Sequence, residues 1–568
     1  MKAVSCSTLV GLGLLLASGA VQAYTPVTDD RLANPEPENW LMTRGRYEGW
    51  SYSELDRINA TNVKNLVPVW SFSTGVDSGH ESPPIVNDGV MFVTTPFNQV
   101  IALDAATGEL LWRYKRELPE EFSALHNTNR GVALYGDKVY FAALDAALVA
   151  LDAKTGEIAW EQQVEDWRTG HYMTIAPLVV KGKVMIGISG GEFGVRGFVQ
   201  AFDAESGEPA WKTYTIPEPG QPGSDTWRGE DWKRGGASVW MTGNYDPETD
   251  LTYWGTGNAS PWFGDQRPGD NLFTSSTIAL DPETGEMKGH FQYHWNDSWD
   301  WDEMNAPMVV DYQQNGRTVK GLIKPSRNGY LYWLERKSDG ISFVNAVPYV
   351  KQDVFKSIDP QTGRPEYNEG RKPGTGKRAE FCPSLWGGKD WPFEAYNPKT
   401  RMIYIPANDN HCGHLEGKVQ EYVAGQWWTG VDIPDIGFTV AENAKSYGEL
   451  QAWDVDTGER AWTQLYPDSM QWGSVLTTAG GLVLVGGTND RYFRAYDART
   501  GEQLWQFRTN SGILAPPSTV EFGGVQYVAV QAGWGVDPAF QQGLLGDLLG
   551  WQKDVPQGGV VWVFALGQ

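Results

Sequence analysis

The chain has 568 residues and carries 70 acidic against 46 basic side chains, a formal net charge of −24. No basic stripe runs through it, which argues against a nucleic-acid binder; the acidity suits a basic protein partner, a bound cation or plain solubility. With 66 Gly, 27 Trp and 24 Tyr, the composition favours an all-β chain rich in turns.

In chain order, residues 1–23 have the layout of a secretory signal: Lys2, an apolar run Leu9–Leu16, and a small-residue cleavage site at Val21-Gln22-Ala23. The apolar run is too short to span a bilayer, and no later stretch reaches spanning length. The expected mature protein, residues 24–568, is exported and soluble, most simply in a bacterial periplasm. Cys6 leaves with the signal, so only Cys382 and Cys412 remain, and in an oxidising compartment two cysteines read as one disulfide. There is no Cys-x-x-Cys-His site for haem attachment. His411-Cys412-Gly413-His414 lacks the further cysteines that a zinc site needs.

One motif then recurs, Ala-x-Asp-x-x-[Thr/Ser]-Gly-x-x-x-Trp. It starts at Ala102, Ala150, Ala201, Ala279, Ala452 and Ala495, and ends at Trp112, Trp160, Trp211, Gly289 (in place of Trp), Trp462 and Trp505. Weaker echoes sit at Trp70, at Tyr245-Asp246-Pro247-Glu248-Thr249 and at Tyr396-Asn397-Pro398-Lys399-Thr400. Runs such as Val100–Leu103 and Leu110–Trp112 read as two strands. Asp and Gly between them make a tight turn, and Trp packs against the next unit. A period of about fifty residues with short strands means propeller blades, about eight of them. The expectation is one all-β domain over 24–568, an eight-bladed β-propeller. Residues 345–395 and 408–450 break the rhythm and read as lid-like insertions, with Gln426-Trp427-Trp428 placed to cover a funnel.

The densest chemistry lies at Trp295–Asn305, where Asp297, Asp300, Asp302 and Glu303 alternate with three indoles. Carboxylates among indoles suit a half-buried cleft, where an acid binds a cation or takes a proton.

Six further stretches carry a family resemblance: Asn129–Tyr135, Ser189–Gly197, Gly257–Trp262, Arg267–Leu272, Trp299–Asp302 and Arg327-Asn328-Gly329. In this order, with the tryptophan-docking repeats, the chain resembles the pyrroloquinoline quinone (PQQ) alcohol dehydrogenases of the methanol/ethanol dehydrogenase type over nearly its whole mature length. The resemblance implies Trp240 as the floor under the quinone. Glu81, Arg130, Thr174, Ser189, Gly190, Gly191, Ser238, Asp390 and Trp391 are the implied polar and aromatic surroundings, with Arg327 at the reactive carbonyl. It implies Glu192, Asn258 and Asp300 as oxygen ligands of a hard cation. Asp300 is also the implied base, taking the alcohol's hydroxyl proton. Asp302 matches the aspartate of lanthanide-dependent relatives, so a lanthanide is expected, with calcium as the alternative; one more carboxylate better neutralises a trivalent ion. On this reading Asp297 and Glu303 face solvent, and Cys382–Cys412 is the family's ordinary disulfide, tying the insertions together.

The sequence departs from the family at two places. Ala124 and Leu125 stand where most relatives carry adjacent cysteines, and Asp390 stands where Asn is frequent. The first departure alters the wall over the quinone and leaves room for a bulkier alcohol. The expected partners are an alcohol and a soluble cytochrome c steered by the acidic surface, with a homodimer as the family-level assembly. The competing reading is a non-enzymatic envelope propeller that scaffolds protein assembly. Such a scaffold has no reason to keep Glu192, Asn258, Asp300 and Arg327 in register with Trp240.

Overall fold

The computed structural model describes residues 24–551 and 554–567; the signal segment expected over residues 1–23 lies outside them. Eight sheets of four or five strands make up the body of the described chain; each is a run of antiparallel neighbours, except that the short strand Tyr52–Ser53 joins the five-stranded sheet parallel to Leu476–Thr478. The expected eight-bladed propeller is present. Its first complete blade pairs Ile85–Asn87, Val90–Thr95, Gln99–Asp104 and Leu110–Lys115 in that order. The inner three strands are almost wholly buried, whereas the outer one alternates between exposed and covered positions.

The repeat motif explains both the turn and the join between blades. Asp104 Oδ1 accepts hydrogen bonds from the amides of Ala106 (3.0 Å) and Thr107 (2.9 Å), which fixes the turn between the third and fourth strands. Gly108 follows at φ +76°, and a Cβ there would lie 2.6 Å from the Trp70 ring of the adjoining blade. Only glycine meets both demands. The same indole donates from Nε1 to the Ala105 carbonyl at 3.1 Å. Trp112, Trp160 and Trp211 repeat this bond to Ala153, Ala204 and Pro282, and Trp462 makes it to Ala498. The motif alanine pairs directly across the strand with the motif tryptophan, as Ala102 does with Trp112.

Two departures from the repeat follow from local packing. Gly289 replaces tryptophan because a Cβ there would lie 2.7 Å from the Cα of Gly340, so these two blades meet backbone to backbone. Trp333, from the third strand of its blade, makes the next join, donating to the Val455 carbonyl at 2.9 Å. The echoes at residues 245–249 and 396–400 are not outer turns. They join the first and second strands of their blades, Asn244–Asp246 to Leu251–Gly255 and Ala395–Asn397 to Met402–Asn408. Asp246 and Asn397 use the same turn chemistry at a different corner.

The ring closes where strand Leu66–Ser73 joins the sheet of Val560–Leu566, Val525–Ala532 and Ser518–Phe522. Trp505 donates to the Leu66 carbonyl at 2.9 Å, so the last motif docks on the first strand of the closed ring. Outside the blades, Ala379–Phe381, His411–Leu415 and Gly437–Val440 form a small sheet, and Phe355–Ile358 pairs with Pro365–Tyr367. A disulfide joins Cys382 to Cys412. The helix Val536–Leu549 lies between the last two strands of the chain. Among the described residues no helix is long and apolar enough to cross a membrane.

Candidate active site

A cavity of about 310 Å³ opens where the small sheet, the helix and the blade ends meet, within the size range of small-molecule and cofactor sites. One end is polar and acidic. Its architecture begins with Asp297, which is completely buried rather than facing solvent. Its carboxylate accepts from the amides of Trp299 (3.3 Å), Asp300 (3.0 Å) and Trp301 (3.4 Å), and lies 3.1 Å from His294 Nε2. Burial alone would raise its pKa, but His294, Arg267 and the amides hold it below the ordinary carboxylate range. This clamp holds Asp300 at φ +65°, a left-handed conformation rare outside glycine. Glu303, also expected in solvent, is buried against Lys324 Nζ at 3.3 Å and accepts the Ser326 hydroxyl. Both acids were misplaced because burial is set by distant elements, whereas the loop's own sequence is uniformly polar and aromatic.

Asp300 then enters the cavity. Its Oδ1 accepts from Asn258 Nδ2 at 2.7 Å. Asp302 accepts from the Asn258 amide at 2.5 Å and from Trp240 Nε1 at 3.0 Å, and lies 3.5 Å from Arg327. Arg327 also stands 3.4 Å from Asp390 and donates from Nε to the Leu385 carbonyl at 2.8 Å. Gly257 lets these groups approach, since a Cβ there would sit 2.6 Å from Asp302 Oδ1. Glu192 is presented by a tight turn from Gly190, at φ +113°, to Gly194. Its pKa is pushed up to about 7, first by burial and then by Asp302. Burial pushes Asp300 well above the ordinary range; Arg327 opposes this, and Asp302 and Glu192 add to it. Asp390 is pushed up to about 6, mainly by burial.

The opposite wall centres on Arg130. Its guanidinium lies 2.9 Å from Glu81, donates to Thr174 Oγ1 at 2.5 Å, and sits over the rings of Trp240 (4.7 Å) and Trp391 (5.3 Å). Thr174 reaches Ser189 Oγ at 3.4 Å. Arg130, Thr174, Ser189, Gly190, Glu192, Ser238, Trp240, Asp300, Asp302, Arg327 and Asp390 all line the one cavity. Glu81, Asn258 and Trp391 support it from behind through the bonds and ring contact just given. Gly191 shapes the Glu192 turn, and its carbonyl accepts the Ser260 hydroxyl.

These residues fit both groups that the resemblance implies. Buried Arg130 Nε has no hydrogen-bond partner in the protein, so the aromatic-walled slot holds a donor suited to an anionic planar guest. At the acidic end, half-buried Glu192 and buried Asp300, Asp302 and Asp390 line the cavity around the single guanidinium of Arg327. That excess of oxygen donors suits a hard cation. Among the described residues no group of His, Cys, Asp and Glu alone gathers as a metal site, because the set includes the Asn258 amide, which here donates to Asp300. A cation would take the amide oxygen instead.

Several cavity residues lie outside every sequence motif. Tyr172, Trp386, Ile436, Phe438 and Phe540 give an apolar wall, and His126 and Asp537 a second polar corner. Trp386 stacks on Phe438 with ring centres 4.1 Å apart. Trp386, Ile436 and Phe438 come from the insertions, Phe540 and Asp537 from the helix, and His126 and Tyr172 from irregular links between strands, none of which has a repeat to announce it. Of the pair that stands where relatives carry adjacent cysteines, Leu125 lines the cavity, while Ala124 packs behind it against Leu144, Tyr172 and Phe193. Trp427, placed in sequence as a cover, lies in the cavity wall, and the Trp428 amide donates to the Glu192 carbonyl at 2.7 Å.

Comparison with known proteins assigns this ring of eight blades, with its cavity at one end, to a class of quinoprotein dehydrogenases. The PQQ family described as the glucose/ethanol/alcohol dehydrogenase β-propeller domain matches residues 40–345 and 443–528. The quinoprotein alcohol dehydrogenase PedH of Pseudomonas putida is 38% identical, covering 98% of this chain and 96% of the relative. A quinoprotein ethanol dehydrogenase of Pseudomonas putida is 36% identical over 95% of this chain and 93% of its own length. Among solved structures, a europium-containing methanol dehydrogenase superposes with a TM-score of 0.88 at 34% identity, covering 94% of this chain and 100% of that one. The chain belongs to the PQQ-dependent alcohol dehydrogenases and is an oxidoreductase acting on alcohols.

Proposed function

We infer that this chain works in the periplasm, oxidising an alcohol to its aldehyde or ketone with Asp300 as the base and a lanthanide as the preferred cation. Electrons then leave to a soluble cytochrome c. The observation that carries this reading is the placement of Asp300. Its clamped loop sets it in the cavity beside Asn258, Asp302 and Arg327.

When bound, the quinone supplies a two-electron acceptor and the cation a Lewis acid at its carbonyl. The chain's own residues do the rest. Trp240 walls the slot with Trp391 behind Arg130, Arg130 and Thr174 would hold the anionic edge of a bound quinone, and Arg327 is a positive charge at the acidic end. Asp300 must be ionised to accept the alcohol's hydroxyl proton. Burial resists this, so Arg327 and the cation held with Glu192 and Asn258 are the charges that make it a base. Both Asp302 oxygens already accept hydrogen bonds. Burial pushes the Asp302 pKa up and Arg327 opposes it; once ionised beside a cation, Asp302 would add negative charge that strengthens the site more for a trivalent than for a divalent ion. The europium named for the solved relative supports that preference. The acidic surface suits a basic cytochrome.

The test is dye-linked activity after loading with quinone plus either lanthanum or calcium, across short, aromatic, polyol and polymeric alcohols. Faster dye reduction with lanthanum is expected. Equal or better activity with calcium alone would sink the lanthanide preference, and no dye reduction with any alcohol, despite bound quinone, would return the chain to the scaffold reading.

A further inference from the structure

The cavity has a second polar corner with no part in the chemistry described so far. His126 Nε2 lies 3.3 Å from Asp537 Oδ1, and both side chains line the cavity. They belong to separate elements. His126 sits on the irregular segment 117–128, which is anchored through Leu118, Phe122 and Ala124 on the Leu144–Tyr172–Phe193 cluster. Asp537 is the second residue of the helix Val536–Leu549.

That helix starts under strain. Gly535 provides no side-chain cap, and Val536 has φ +52°, an outlier for a β-branched residue. The helix is held further along, where Gln541 accepts from Trp472 Nε1 at 2.5 Å and Leu545 is buried. Its first turn projects Val536 and Phe540 into the cavity, opposite Leu125 on the irregular segment. The seam between the two elements is therefore apolar except where the ion pair crosses it.

We propose that His126 and Asp537 form a latch across this seam, which sets how bulky an alcohol reaches Asp300. This rests on the alcohol-oxidising reading above. With the latch closed, Leu125, Val536, Phe540 and the Trp386–Phe438 stack bound the free end of the substrate. That wall favours compact alkyl alcohols over bulkier aryl ones. It disfavours polyols, whose extra hydroxyls would lose water without gaining partners.

The latch also has a pH sign. It needs protonated His126 and ionised Asp537. Burial alone would lower the His126 pKa, but Asp537 and then Glu81 outweigh burial and Arg130 and raise it above its ordinary value. Burial would raise the Asp537 pKa, but His126, Arg327 and Arg130 hold it down. Glu192 and Asp390 are the other acids facing the pair. The latch is therefore closed below the raised His126 pKa and opens as pH rises through it.

The experiment measures the ratio of kcat/KM for benzyl alcohol to that for ethanol in the holoenzyme, from about pH 6 to about pH 10. It compares the parent, His126→Gln, Asp537→Asn and the reversed pair His126→Asp with Asp537→His. The parent ratio should rise as the latch opens. Each single variant should hold a ratio raised about tenfold and flat with pH, and the reversed pair should return towards the parent. Hydrogen exchange of the amides in 536–549 should show the same pH step in the parent and none in His126→Gln. Single variants that keep the parent's ratio, pH profile and exchange step overturn the latch. A parent that oxidises no alcohol fails the enzymatic reading instead, and the exchange step then decides the latch alone.

Discussion

At the residue scale the site is an exercise in confining negative charge. Four acids, half-buried Glu192 and buried Asp300, Asp302 and Asp390, share one guanidinium, and desolvation pushes Glu192 up to about 7 and Asp390 up to about 6. A carboxylate must lose its proton to bind a cation, so uptake carries that cost as pH falls. Cation affinity should therefore weaken steeply as pH drops through about 7, where Glu192 takes up its proton. Titration of the apoprotein with terbium, read by sensitised luminescence from the neighbouring indoles, checks this; an affinity flat across that interval contradicts the assigned ligands. Asp300 and Asp302 were legible in the sequence because they sit in a motif with fixed neighbours. Asp297 and Glu303, in the same stretch, were not. Their partners, His294, Arg267, Lys324 and Ser326, come from other turns and strands, and nothing local in an acid shows whether it caps amides or faces water.

At the scale of elements, the repeat was readable because its chemistry is local: Asp accepts two amides, Gly turns, and Trp stacks on the next glycine. The blade count followed from it. The two echoes misled because Asp-Pro-Glu-Thr and Asn-Pro-Lys-Thr use the same amide-accepting chemistry at the inner corner of a blade. The insertions were visible only as interruptions. Pairing of Ala379–Phe381 with His411–Leu415 joins strands across 30 intervening residues or so, with no periodicity to reveal it. The docking tryptophans supply an energetic test. Trp112 is 8% exposed, stacks on Gly156 and donates to Ala153. Replacing it by alanine should cost about 3–5 kcal/mol, the usual range for a buried aromatic. Urea unfolding of Trp112→Ala reads this directly; a loss below about 1 kcal/mol, the size of an ordinary surface change, would mean the indoles do not hold the blades together.

At the scale of the whole molecule, ring closure by Leu66–Ser73 against Val560–Leu566 makes every blade depend on its neighbours. A rigid ring is what lets residues as distant in sequence as Arg130, Glu192, Asp300 and Arg327 meet at one cavity with ångström precision. Most of the polar lining was legible, since Arg130, Ser189, Glu192, Asp300, Asp302 and Arg327 lie in the six family-like stretches; the His126–Asp537 corner and the apolar half were not. The central claim is that this assembly serves alcohol oxidation through Asp300. The most direct measurement compares parent and Asp300→Asn protein, each loaded with quinone and lanthanum, for bound quinone by absorbance and for dye reduction with alcohol. The account predicts that Asp300→Asn retains bound quinone but loses turnover by at least about a hundredfold, the lower range for a lost general base. Turnover near the parent's, with quinone equally bound, would contradict it.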